Sequence, residues 1–221
     1  IAANPAYGPY CKQLLSAGPL KATRGKTETI LFNIDIEGSI NKDKTAVLRV
    51  FAKMFYNHLG FFGENLKVAM LEQYIDQLGK TEEFRRVFEA KKGKSWVDQR
   101  KAFAFNGKFI IPTLMEVLDM SEEDAKRWFN DKTAVEFSIA QLVEDIKAYV
   151  KKQPKDFRLI FLIDEVGQYV GTDTDMLLNL QSLTEKIGSE CGGKVWVMCT
   201  GQEAIDEIIK VRADEFSRIQ A

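Results

Sequence analysis

The sequence predicts an α/β fold in which a partial parallel sheet is interrupted by a large all-helical insertion, and three observations carry that prediction. Leu159 to Glu165 reads Leu-Ile-Phe-Leu-Ile-Asp-Glu. An apolar run without alternation is what a central parallel strand shows when helices cover both faces of its sheet. Lys194 to Thr200 is a second, nearly all-apolar run of this kind. Between Phe61 and Asp131 no stretch is convincing as a strand, while helical spacing recurs throughout.

In chain order, residues 1–26 are rich in Gly, Pro and Ala and read as a lead-in segment, with one or two helical turns between Tyr10 and Ala17. Thr29 to Ile36 is a β-prone run and the first expected strand. Asn41 stands where a helix N-cap belongs. Val47, Leu48, Phe51, Phe55 and Leu59 then form one apolar stripe, and Gly60 supplies a left-handed stop. The insertion carries helical spacing at Leu66 to Leu78, Thr81 to Ala90, Trp96 to Phe105, Pro112 to Leu118 and Ser121 to Phe129. Acidic residues follow Thr81 and Ser121, where they face the unpaired N–H groups of a first turn. Thr133 with Glu136 forms a capping box for a helix running to about Lys152, closed by Pro154. After the Leu159 strand, Thr172 and Asp175 cap a helix ending at Gly188; after the Lys194 strand comes a short helix from Gln202 to Lys210. Strands alternating with helices imply right-handed crossovers. The expected division is a core of residues 1–60 and 132–221 around a helical insertion of residues 61–131.

Composition narrows the function. At 221 residues, 45% hydrophobic and 29% charged, the chain is of globular type, and no apolar run approaches the ~20 residues of a membrane span. A net charge of -1 gives no overall attraction to nucleic acid, so DNA contact would need a local patch. The three cysteines form no Cys-x-x-Cys pair, which argues against a disulfide framework or zinc site and for reduced thiols in cytoplasm. The chain reads as a piece of a longer protein, since Ile1 is neither an initiator nor the start of a targeting segment.

The chemistry concentrates at Asp164 and Glu165. Open α/β sheets place ligand sites at the carboxyl ends of their strands, where this pair falls. In P-loop NTPases the first acid of such a pair helps hold Mg²⁺, and a neighbouring group positions the attacking water. That fold also needs a Gly-rich turn opening a helix, with Lys and Ser or Thr for the phosphates. Gly25-Lys26-Thr27 does not supply it, because Gly18 leaves six intervening residues where four are needed and the triplet leads into a strand.

Phe161-Leu-Ile-Asp-Glu-Val-Gly-Gln-Tyr-Val-Gly171, Val195-Trp-Val-Met-Cys-Thr-Gly-Gln-Glu203, Phe216-Ser-Arg-Ile-Gln220 and the Ile30 to Asp35 strand together resemble the large P-loop ATPase of bacteriophage-exclusion (BREX) defence systems, the BrxC or PglY family. The resemblance covers most of the chain and is sharp at these segments. It implies a partial AAA+-like P-loop NTPase sheet and an ATP-hydrolysing function in bacterial anti-phage defence, with ATP and Mg²⁺ as cofactors. It also implies other BREX proteins as partners and self-association through ATPase interfaces. In that frame Asp164 matches the Walker B acid that holds magnesium through water, Glu165 the residue that activates the hydrolytic water, and Thr200 the sensor 1 residue that bonds that water or the terminal phosphate. Arg218 is the candidate arginine finger offered to a neighbouring subunit. Thr200 also suits a strand-ending cap for the next helix, and Arg218 a solvated surface arginine.

The phosphate-binding loop and the lid are absent from the pattern. The expectation is therefore an ATPase in the full-length protein and an inactive piece when these residues stand alone. The alternative is a non-catalytic scaffold, in which a degenerate nucleotide fold presents the helical insertion to partner proteins. Lys91, Lys92, Lys94, Arg100 and Lys101, interleaved with Trp96, Phe103 and Phe105, form a weaker nucleic-acid candidate, diluted by nearby acids.

Overall fold

The computed structural model describes residues 25–38, 43–131, 137–171 and 173–200. The elements in chain order are β1 (Thr27–Asn33), α1 (Ile34–Glu37), α2 (Ala46–His58), α3 (Leu66–Gln77), α4 (Thr81–Lys92) and α5 (Trp96–Gln99), which runs into a 3-10 stretch (Arg100–Phe105). They continue with α6 (Gly107–Leu118), α7 (Glu122–Asn130), α8 (Ile139–Lys151), β2 (Arg158–Asp164), α9 (Val166–Val170), α10 (Thr174–Glu190) and β3 (Val195–Cys199). The chain forms two compact units, Ile1–Val50 with Ser138–Ala221, and Phe51–Phe137. The sequence boundaries at 61 and 131 fall inside the second.

The first unit is α/β. Its three strands are parallel in the order β1-β2-β3, with Asn33 opposite Asp164 and Ile163 opposite Cys199. Both crossovers step across the sheet in the same direction, so right-handedness puts α8 and α10 on one face, and these two helices touch. That face is the core: Ile30, Phe32, Leu159, Phe161, Ile163 and Val195 are buried. The burial of β2 alternates, because Ile160 and Leu162 on the other face remain partly exposed. An apolar run thus conceals a sheet with only one face buried among the described residues, whereas the sequence predicted cover on both.

A tie from α8 to β1 has a measurable pH signature. Tyr149 donates its hydroxyl to Glu28 Oε2 at 2.6 Å, and its ring meets Phe157 edge-on. Burial, reinforced by the Glu28 carboxylate, pushes the phenol from 10.0 up to about 12. A raised folded-state pKa contributes stability that is complete below the unfolded value and lost above it, so this contribution should disappear between pH 10 and 12. Tyr149→Phe should remove about 1 kcal/mol at neutral pH and flatten that alkaline loss, as read from urea unfolding at several pH values.

Several local expectations shift. The first strand ends at Asn33 rather than Ile36, because Asn33 Oδ1 accepts from Asp35 N (3.0 Å) and Ile36 N (3.1 Å) and opens α1. The helix expected from Thr133 begins at Ile139, with Ser138 as its N-cap. Gly188 does not stop α10, which reaches Glu190; Gly192 (φ 58) and Gly193 (φ 71) make the left-handed turn instead. Asp173 caps α10 through Asp175 N and Met176 N. In the insertion, Pro112 lies inside α6 rather than at its start, and the stretch from Trp96 is a short helix followed by a 3-10 run. Tyr10 to Ala17, Asn41, Thr133 with Glu136, Thr172 and Gln202 to Lys210 lie outside the described residues.

The second unit is helical, with a core that includes Val68, Ile75, Phe84, Phe88, Trp96 and Leu114. Asn65, Ser95 and Ser121 cap α3, α5 and α7 with side-chain oxygens. Lys67 Nζ donates to the carbonyls of Trp128 (2.6 Å) and Asp131 (2.6 Å), answering groups that the end of α7 leaves unpaired. Burial lowers the pKa of that amine.

Candidate functional site at the carboxyl ends of β2 and β3

Register places the site. Asp164 is the last residue of β2, and Thr200 follows the Cys199 that pairs with Ile163, so the two are neighbours across adjoining strand tips. The backbone holds them there: Thr200 N donates to Ile163 O at 2.8 Å, and Val166 N donates to Thr200 O at 3.0 Å. Thr200 Oγ1 donates to Asp164 Oδ1, which also accepts from Glu165 N at 3.0 Å. One carboxylate oxygen of Asp164 therefore carries two donors, and the side chain is exposed at the rim. In this geometry the Thr200 hydroxyl is committed to the acid rather than pointed away from it.

Glu165 is half-buried and has left-handed backbone angles, φ 62 and ψ 29. Only Asp119 shares a positive φ among the described residues that are not glycine. Such a backbone is uncommon for glutamate and costs of order 1–2 kcal/mol, and residues of this kind cluster at functional sites. It turns the chain sharply out of β2, and α9 follows with Tyr169 N bonded to Glu165 O at 3.0 Å.

The strand-tip group predicted from sequence is thus assembled at Asp164, Glu165 and Thr200, while Arg218 lies outside the described residues. Gly25 to Thr27 stands at the amino end of β1, about 20 Å from the Asp164 rim by the rise of a seven-residue strand. That position agrees with reading the triplet as a lead into the strand. Among the described residues no group of three or more His, Cys, Asp or Glu converges on a metal position. A single carboxylate with an exposed face suits magnesium, which keeps several waters and takes its other ligands from phosphates. Cys199 adjoins Thr200, but burial pushes its thiol up from 9.0, so it offers no thiolate. Sequence reasoning misses Asn33, opposite Asp164, because it falls inside the expected strand; the acids Asp35 and Glu37 just after it are the signal of a helix start.

The basic and aromatic candidate does not form an open binding surface. Trp96 and Phe103 are buried, and Trp96 Nε1 donates to Glu72 Oε1 at 2.6 Å. Arg100 pairs with the same oxygen at 3.0 Å and lies over the Phe62 ring. Lys91 pairs with Glu116 at 2.6 Å, and Lys92 lies over Phe109. Of the three aromatics only Phe105, 89% exposed, faces solvent. The described residues also contain no helix long and apolar enough to cross a membrane.

No protein-family model matches this chain, and no solved structure does.

Proposed function

We propose that this chain supplies the magnesium- and water-handling side of an ATP-hydrolysing site, within an AAA+-like P-loop ATPase of a bacterial phage-exclusion system. The observation that carries the reading is the Thr200 hydroxyl bonded to Asp164 at adjoining parallel strand tips, with Glu165 in a left-handed backbone beside them. The strand order supports it, because β1-β2-β3 in parallel leaves the outer edge of β3 without a partner among the described strands, where a strand bearing a phosphate-binding loop can add.

Magnesium ATP, when bound, supplies a phosphoryl group for transfer to water. Asp164 would hold the hydrated ion through the oxygen that Thr200 and the Glu165 amide leave free. Thr200 fixes the orientation of that carboxylate. Glu165, next to Asp164 in the turn out of β2, would accept the proton of the attacking water. Arg218 remains the proposed finger toward a second copy. The described residues hold no Gly-rich turn opening a helix, so the phosphate grip would come from outside the described residues.

Calorimetry of ATP binding to the full-length protein, with magnesium and with chelator, tests this reading. Binding should require magnesium, and both Asp164→Ala and Thr200→Val should weaken it, with Thr200→Ser close to wild type. A full-length protein that binds no ATP would leave the scaffold reading in its place.

A further inference from the structure

Two very short helices follow the neighbouring tips of β1 and β2. Asn33, opposite Asp164, opens α1 with its side chain, and α9 starts directly after Glu165. At four and five residues neither is long enough to hold its shape alone, so tertiary contact has to fix both. They touch each other, and the Tyr169 ring of α9 lies against Gly38, whose N–H closes α1 on Ile34 O at 2.9 Å. Tyr169 is 2% exposed although it stands on a single-turn helix at the sheet rim. A Cβ at position 38 would fall on the ring, 2.6 Å from the Tyr169 hydroxyl oxygen and 2.7 Å from Ile34 O. Gly38 has φ -76 and ψ 161, angles that any residue adopts. Its missing side chain therefore serves to make room for the ring, not to free the backbone.

The left-handed turn at Glu165, φ 62, is a conformation that persists only where its surroundings over-determine it. Glu165 N bonds within the turn to Asp164 Oδ1, and from the β3 side Thr200 O accepts from Val166 N at 3.0 Å. On the β1 side the turn is reached through Tyr169, whose N–H bonds back to Glu165 O at 3.0 Å while its ring is seated against Gly38. We infer that Tyr169 is a positioning residue, which clamps α9 to α1 and so keeps Glu165 in its left-handed turn beside Asp164 and Thr200. Its effect on turnover rests on the proposed ATP site; the clamp itself does not.

Amide hydrogen exchange of the full-length protein tests the clamp without ATP, because the Val166 amide, bonded to Thr200 O, reports whether the turn is closed. Tyr169→Leu removes the ring, and Gly38→Ala displaces it from a distant part of the chain. Both should speed exchange at Val166 by about tenfold or more while Leu159 to Ile163 stay protected. Tyr169→Phe keeps the ring and should exchange much like wild type. In steady-state phosphate release the Leu and Ala variants should lower kcat by about tenfold or more with KM for magnesium ATP unchanged, since a displaced base costs rate rather than binding. A Val166 amide as protected in both variants as in wild type would overturn the inference. Loss of protection throughout β2 would also overturn it, by making Tyr169 an ordinary core residue. So would an unchanged kcat in variants whose Val166 amide has loosened. A wild-type protein that turns over no ATP would defeat the site reading instead, and the exchange result would still decide the clamp.

Discussion

Glu165→Gln in the full-length protein is expected to cut ATP turnover by at least about a hundredfold while nucleotide binding is kept, because a positioned general base is worth about 10²–10⁴ in rate. Glutamine keeps the length and hydrogen-bonding capacity of the side chain and loses only its ability to take a proton. Glu165→Gly should also abolish turnover, yet it should cost no stability or gain up to about 1 kcal/mol, since glycine adopts φ 62 without the clash a side chain brings. A residue whose removal destroys activity while easing the fold is one retained for chemistry. Steady-state phosphate release and thermal unfolding of the two variants separate these effects. If Glu165→Gln hydrolyses ATP like wild type, the assigned role is wrong.

The largest stability effect is expected in the helical unit. Glu72 is nearly buried and accepts from Phe62 N (2.6 Å), the Trp96 indole (2.6 Å) and Arg100 (3.0 Å). The Glu72 and Arg100 side chains are 9% and 18% exposed, so water screens the pair little. Glu72→Ala leaves the Arg100 charge and two N–H donors behind, a loss of about 3–5 kcal/mol. Glu72→Gln keeps an acceptor and should cost less. Urea midpoints of the two variants should fall in that order, and an Ala variant within about 1 kcal/mol of wild type would show that the cluster contributes little.

What the sequence disclosed and what it hid have physical causes. The runs at Leu159 and Lys194 are readable because a short, wholly apolar stretch that ends in polar residues suits an interior strand better than a helix or a loop. The meeting of Asp164 with Thr200 follows from both ending parallel strands. The one-sided burial of the sheet is not readable, because Ile160 and Leu162 are apolar whether or not anything described covers them. Trp96 and Arg100 look like parts of a surface patch because their partner Glu72 lies 24 and 28 residues away, beyond any local pattern. Asn33 looks like strand until its side chain bonds two amides ahead of it. The left-handed turn at Glu165 leaves no signal, since glutamate is not a residue that favours it.

The most direct measurement is the fate of ATP held by the Glu165→Gln full-length protein in magnesium. Nucleotide should be recovered from the isolated complex as intact ATP, where wild type returns ADP, because the strand-tip group still grips the ion while no base activates water. Recovery of ADP at the wild-type rate, or a protein that holds no nucleotide at all, would contradict the account.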